Sequence, residues 1–218
     1  MKLRMSFKWL TALCLVFATS IASAQNPLVA VKTDLGTFVI ELQPKAAPVT
    51  VKNFLAYVDS QFYDGTIFHR VVPGFVVQGG GLTFDFTEKE TLPPIVNESI
   101  NGLKNDYKSV AMARQQDPNS ATSQFYINLN NNSGLNATES KPGYTVFGKV
   151  IWGMEIVEKI EKEPRGMFKA FPEAPNYAVR ILSATRINST DFKTLVDAQQ
   201  APKPSAFKDA LVPVNESQ

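Results

Sequence analysis

The stretch Phe68-His69-Arg70-Val71-Val72-Pro73-Gly74-Phe75-Val76-Val77-Gln78-Gly79-Gly80-Gly81 decides how this chain folds. Two β-branched apolar runs flank a Pro-Gly pair, a turn signal in which proline fixes a negative φ and glycine accepts a positive one. The pattern predicts a strand, a turn and a second strand, closed by a glycine run where the backbone approaches another group closely. Residues two apart share a face of a strand, so Arg70 lies with Val72 and Gln78 with Val76. A guanidinium and an amide beside an apolar wall suit a neutral, peptide-like ligand.

Residues 1–24 have the form of a secretory signal peptide. A basic start precedes an apolar centre at residues 9–21, and Ala22-Ser23-Ala24 is a small-residue cleavage site. The apolar run is too short to span a bilayer. We therefore expect cleavage before Gln25, export to the periplasm, and no stable membrane insertion of the mature chain.

Composition excludes several classes of function. Without its first 24 residues the chain keeps 19 basic and 20 acidic residues, so no basic patch favours nucleic acid as a partner. The only cysteine, Cys14, leaves with the signal peptide and takes disulfide and thiol chemistry with it. The single histidine, His69, cannot build a multi-histidine metal site, and we expect no metal or cofactor. Because no nucleophile motif accompanies His69, we interpret it as a structural residue in preference to a general base.

The rest of the pattern predicts many short strands, two helices and glycine-rich turns. This mixture favours a mainly β fold, a closed antiparallel barrel with helices over its ends, although a sandwich is not excluded. The strands are expected at 28–33, 37–42, 110–113, 124–129, 144–151 and 178–187. One helix is expected to open at residues 47–50 and run to about Asp59, and a second to run from Met154 to about Lys162.

The chain divides into three parts. After the signal peptide, residues 25–187 form one domain, and residues 188–218 form a polar tail with three prolines and no sustained period. We expect that tail to be mobile, with a short helix around Phe192 to Ala198.

Two later sequence blocks extend the pattern that begins with the opening stretch. Ser123-Gln124-Phe125-Tyr126-Ile127 and Val146-Phe147-Gly148-Lys149-Val150 follow the opening stretch in order. Together these blocks resemble the signature of the cyclophilins, the peptidyl-prolyl cis-trans isomerases inhibited by cyclosporin. The resemblance covers Pro27 to Ile187 and, with the signal peptide, is strongest to the periplasmic cyclophilins of Gram-negative bacteria. It implies a closed eight-stranded antiparallel β-barrel capped by two α-helices, and isomerisation of X-Pro bonds in exported, folding polypeptides.

The resemblance also implies the site. Arg70 corresponds to the family's essential arginine, and Gln78 would hold that arginine and the substrate carbonyl. The proline pocket would be lined by Phe75, Val76, Tyr126 and Leu135, with Met112 at its edge and Tyr144 at the position of the usual histidine. The groove for the residue before proline would be flanked by Ala113, Arg114 and Gln124.

Five positions depart from the family pattern. Val76 stands where the family usually has methionine, and Tyr126 where it has a pocket phenylalanine. Arg114 replaces a common asparagine, Tyr144 replaces the pocket histidine, and Gly134 replaces a tryptophan. Because that tryptophan mainly concerns drug binding, we expect cyclosporin binding to be weakened more than catalysis. We expect a monomer.

Two rival functions remain open on sequence alone. The groove of a non-catalytic module would capture proline-containing segments as a chaperone or scaffold without isomerising them. A structural envelope protein would instead use residues 188–218 as its partner contact.

Overall fold

The computed structural model describes residues 25–200 and shows a mainly β fold of eight antiparallel strands and three helices. The strands are β1 (Leu28–Thr33), β2 (Gly36–Leu42), β3 (Arg70–Val72), β4 (Val76–Gly79), β5 (Ser109–Met112), β6 (Phe125–Asn128), β7 (Val146–Trp152) and β8 (Ile181–Ile187). The helices are α1 (Pro48–Asp59), α2 (Met154–Lys162) and α3 (Ser189–Gln200). None of the helices in this part of the chain is long and apolar enough to cross a membrane. The predicted signal peptide lies outside the described residues.

The eight strands form one curled sheet in the order β3-β4-β6-β5-β7-β2-β1-β8. The prediction of a closed barrel is wrong in this respect, because β3 and β8 are its two edges and share no ladder. The segment before β3 reaches the start of β8, where Gly65 N donates to Ile181 O at 2.8 Å and Ile181 N donates to Thr66 O at 2.7 Å. Within β3, Val71 N donates instead to Glu173 O at 2.8 Å, because the loop between α2 and β8 covers this edge. The sheet is therefore a half-barrel.

The core fills the concave side of the sheet. Strand alternation directs Val29, Val31, Phe38 and Ile40 inward, as the sequence predicts, and each is at most 1% exposed. Both predicted helices are confirmed, and they end at Asp59 and Lys162, close to the expected residues. Proline in the first turn of α1 starts that helix without losing a hydrogen bond.

The third helix, α3, covers more residues than the short helix expected near Phe192. Its side chains Phe192, Leu195 and Val196 are half-buried. The mobility expected of the tail stays a prediction, and residues 201–218 lie outside the described residues.

The Pro73-Gly74 turn forms as the sequence predicts. Gly74 has φ +67°, and Phe75 N donates to Val72 O at 3.0 Å, which closes the turn between β3 and β4. This hairpin fixes the register of the strands that carry the candidate site.

Candidate active site

A row of side chains crosses the convex face of the sheet. Residues directly opposite one another in antiparallel strands point to the same face. The register pairs Arg70 with Gln78, Gln78 with Tyr126, Tyr126 with Ala111, and Ala111 with Val146. Five strands thus deliver one cation, one amide and three pocket residues to one side, away from the core.

An apolar pocket lies at the centre of this row. A second hydrophobic cluster, separate from the core, is built on the buried side chains Val76, Ala111, Tyr126 and Val146. Its partly buried wall consists of Phe75, Leu103, Ala113, Leu135 and Tyr144. The structure therefore brings Phe75, Val76, Tyr126, Leu135 and Tyr144 together in one pocket. Ala113, expected beside the groove for the residue before proline, also packs against this pocket, and Leu103, Ala111 and Val146 are added to it.

Met112 does not belong to this pocket. It is 2% exposed and packs in the main core, because its neighbour Ala111 takes the convex face and alternation turns Met112 the other way. Its expected place at the edge of the pocket is corrected accordingly.

The guanidinium of Arg70 stands at the open end of the row. Its side chain is 38% exposed, and Nη1 is 3.5 Å from Gln78 Oε1, the long limit for a hydrogen bond. Gln78 Nε2 in turn donates to Gln124 Oε1 at 3.0 Å. Nε of Arg70 forms an ion pair of 2.5 Å with Glu173 Oε2. The arginine is therefore held by side chains and remains accessible beside the pocket.

A buried amide, Asn105, supports the floor of the pocket. It is 1% exposed, and its Oδ1 accepts from Tyr126 OH at 2.7 Å and from Asn128 Nδ2 at 3.2 Å. Its Nδ2 donates to Asn136 Oδ1 at 3.1 Å, which ties the chain next to Leu135. Burial raises the pKa of Tyr126, so its hydroxyl stays protonated and acts as a donor. The sequence gives no sign of this role, because Asn105 lies in an irregular stretch without period.

Arg114 fixes one wall of the pocket. Its guanidinium lies 4.5 Å from the ring centre of Tyr144 and donates to the carbonyls of Pro142 at 3.2 Å and Gly143 at 3.3 Å. With Leu135 and Tyr144 it lines a side cavity of about 280 Å³. The Arg114 side chain is thus engaged with residues 142–143, and Ala113 N donates to Gln124 O at 2.9 Å beside it.

His69 is buried although it adjoins Arg70. It is 8% exposed, and burial lowers its pKa to about 4, so it is neutral near pH 7. A group with so low a pKa is a poor general base at neutral pH, which agrees with its interpretation as structural.

A larger groove lies elsewhere. It has a volume of about 890 Å³ between residues 25–28 and the start of α3, and it contains none of the predicted site residues. The row of Arg70, Gln78 and Tyr126, set on one face by strand register, distinguishes the convex-face site from this groove.

Comparison with known proteins now places the chain. The family model for "Cyclophilin type peptidyl-prolyl cis-trans isomerase/CLD" matches residues 28–186. The chain belongs to the cyclophilin family. A peptidyl-prolyl cis-trans isomerase of Acinetobacter baylyi is 49% identical over 72% of this chain and 84% of its own length. Peptidyl-prolyl cis-trans isomerase A of Dickeya dadantii is 44% identical over 77% of this chain and 88% of its own length.

Solved cyclophilin structures share the fold. A cyclophilin type isomerase of Cryptosporidium parvum, determined in the presence of the dipeptide Ala-Pro, is 28% identical and has a TM-score of 0.62. The match covers 74% of this chain and 99% of that one. As a cyclophilin, the chain is a peptidyl-prolyl cis-trans isomerase by family.

Proposed function

We propose that Arg70 accelerates X-Pro rotation by donating a hydrogen bond to the proline nitrogen only while the amide is twisted. The barrier of about 18–20 kcal/mol is the resonance lost as the C–N bond rotates. In the twisted state the nitrogen gains a lone pair that accepts a hydrogen bond, whereas the planar ground state offers none. A donor placed for that nitrogen therefore stabilises the transition state selectively. The observation that carries the proposal is the accessible guanidinium beside a separate apolar pocket.

The other site residues have positioning tasks in this reaction. The pocket around Val76 and Tyr126 holds the proline ring by apolar contact. Gln78 restrains Arg70, and Gln124 restrains Gln78 through their 3.0 Å hydrogen bond. The reaction breaks no covalent bond, so these groups need no acid, base or nucleophile beside them. The guanidinium of Arg114 packs over the ring of Tyr144, and the two side chains form one wall of the groove.

The proposed substrates are proline-containing segments of exported proteins as they fold. Uncatalysed prolyl isomerisation takes about 10–100 s, long enough to limit folding. The predicted signal peptide supports a periplasmic location. The Ala-Pro dipeptide in the Cryptosporidium parvum structure supports recognition of a proline with its preceding residue.

An exchange experiment on a short Ala-Pro peptide tests the catalytic proposal against a non-catalytic binding module. The chain from Gln25 onward is mixed with excess peptide, and NMR exchange spectroscopy measures the isomerisation rate while titration measures the affinity. Catalysis predicts that substoichiometric protein brings exchange from minutes to well below one second, an acceleration of about 100-fold or more. Binding with an unchanged isomerisation rate would support the binding module instead.

Fractionation tests the proposed location separately. When the full chain is expressed in a Gram-negative bacterium, we expect it in the periplasmic fraction with Gln25 at its N-terminus. A variant lacking residues 2–24 should remain in the cytoplasm and keep its activity. Recovery of the full chain from the cytoplasm with an intact N-terminus would contradict export.

A further inference from the structure

The loop between α2 and β8, residues 163–180, brings an acidic side chain to the candidate catalytic arginine. Glu173 Oε2 lies 2.5 Å from Arg70 Nε, and the Glu173 side chain is 45% exposed. The main-chain carbonyl of the same residue accepts from Val71 N at 2.8 Å. Glu173 therefore touches β3 twice, once through its backbone and once through its carboxylate.

The backbone of this loop is fixed without help from the carboxylate. Ala174 is 1% exposed and its N–H donates to Phe171 O at 3.0 Å, while Asn176 N donates to Pro164 O at 2.7 Å. The bond from Val71 requires only a carbonyl, which any residue at position 173 supplies. A substitution of Glu173 should therefore remove the carboxylate and leave the loop in place.

The two partners of the guanidinium lie at different nitrogens. Glu173 faces Nε, and Gln78 faces Nη1, from opposite sides of β3. An arginine side chain that is 38% exposed would otherwise sample many rotamers. With both partners in place, the remaining N–H donors are left for the substrate in a fixed direction.

We propose that Glu173 is a positioning residue that orients Arg70 for the twisted amide. This inference rests on the proposed role of Arg70. A donor already aimed at the transition state needs no reorganisation during the reaction, so loss of the restraint lowers the rate of the chemical step. The carboxylate also offsets part of the arginine charge. This second effect weakens the hydrogen bond from Arg70 and so lowers the rate. Because the ion pair is half exposed and screened by water, charge compensation is weak, and the orienting effect on Arg70 outweighs it.

The two effects are separated by comparing Glu173→Ala with Glu173→Gln. The alanine variant removes the restraint, and we expect kcat to fall about tenfold with KM within about twofold, because a misplaced catalytic group is costly. The glutamine variant keeps an oxygen acceptor without the charge, and we expect it to retain at least about half of kcat. The NMR signals of the Arg70 side chain should report more motion in the alanine variant than in the glutamine variant.

Asp59→Ala provides a matched control. Asp59 forms an ion pair of the same 2.5 Å length with Arg186, at similar exposure, on α1 and β8 at the other edge of the sheet. Its loss should leave kcat unchanged. In an Arg70→Ala background, Glu173→Ala should have no further effect on kcat, because the two residues act as a unit.

Three results would overturn the inference. These are a wild-type kcat in Glu173→Ala, an equal loss in Glu173→Gln and Glu173→Ala, or an additive loss in the double variant. If Arg70→Ala is inactive while Glu173→Ala matches wild type, only this inference fails. If Arg70→Ala keeps full activity, the proposed function fails as well.

Discussion

At the scale of single residues, neighbours in the sequence have opposite environments. The Arg70 side chain is 38% exposed beside the pocket, whereas His69 is 8% exposed. The Nδ1 atom of His69 is a buried polar atom with no hydrogen-bond partner within residues 25–200. Burial disfavours the charged form of His69 and is the main reason why its pKa is low, and the neighbouring Arg70 cation lowers it further.

The burial of His69 predicts how stability depends on pH. Its pKa is about 4 in the folded chain, below the ordinary 6.5, so the unfolded chain binds the proton more tightly. The stabilisation is fully present above pH 6.5 and is lost as pH falls toward 4, by about 3 kcal/mol in the free energy of unfolding. Urea unfolding at several pH values within this window measures the change in the free energy of unfolding. His69→Gln should flatten the slope in this window, and an unchanged slope would show that other groups cause it.

The sequence reveals the roles of some residues and hides others. Arg70 and Gln78 stand out because each is a polar residue in an alternating apolar strand, and the period fixes its face. Glu173 and Asn105 lie in irregular segments, where no period tells which way a side chain points. Their contacts with Arg70 and Tyr126 depend on pairings across long stretches of sequence. Met112 lies in the core because Ala111, its neighbour in β5, takes the pocket face, and a matching family position does not show this alternation.

At the scale of elements, the glycines at the end of β4 and just after it lie against two different kinds of neighbour. A Cβ at Gly81 would lie 2.5 Å from Gln124 Cγ, whereas a Cβ at Gly79 would lie 2.8 Å from the carbonyl oxygen of Ile67. The first obstacle is a side chain in the site, and the second is backbone. The predicted close approach is therefore explained, and it involves two different neighbours.

This difference predicts separable effects of two alanine substitutions. Gly81→Ala should displace Gln124 from Gln78 and lower kcat/KM about tenfold, with about 1 kcal/mol lost in stability. Gly79→Ala meets rigid backbone and should cost about 2–3 kcal/mol in the free energy of unfolding. Urea unfolding and the peptide assay measure the two quantities. If Gly81→Ala and Gly79→Ala had equal effects on kcat/KM and on the free energy of unfolding, the two glycines would not have different neighbours in the way described.

The sheet does not close into a barrel because a loop covers its β3 edge. Periodicity locates the strands, but it does not show what covers an edge. β3 has only three residues, and the loop that carries Glu173 takes the position that a neighbouring strand would occupy in a closed barrel. That loop has no alternation, so the sequence could not predict this replacement.

At the scale of the whole molecule, the sheet separates two apolar clusters. The core lies on the concave side and the pocket on the convex side. The pocket is built from β3 to β7 and the loops between them, and α3 contributes no residue to it. Within residues 25–200, the candidate site is therefore built without the helix of the tail.

A truncation tests this independence. A chain that ends at Asn188 should keep kcat/KM on a short proline peptide within about twofold of the longer chain, because no site residue is removed. We expect only a small loss of stability, since the apolar side chains of α3 are half-buried. A large loss of peptide activity would show that the tail shapes the site. Lost function in cells with peptide activity intact would support a partner contact in the tail.

The most direct test of the account is the rate of Arg70→Ala measured beside its peptide affinity. Removing one donor to a transition-state charge typically costs two to three orders of magnitude in rate, so we expect about that loss in kcat/KM. The dissociation constant for an Ala-Pro peptide should change by less than about threefold, because the pocket that binds the ground state is intact. Turnover near the wild-type value in a folded Arg70→Ala variant would contradict the account.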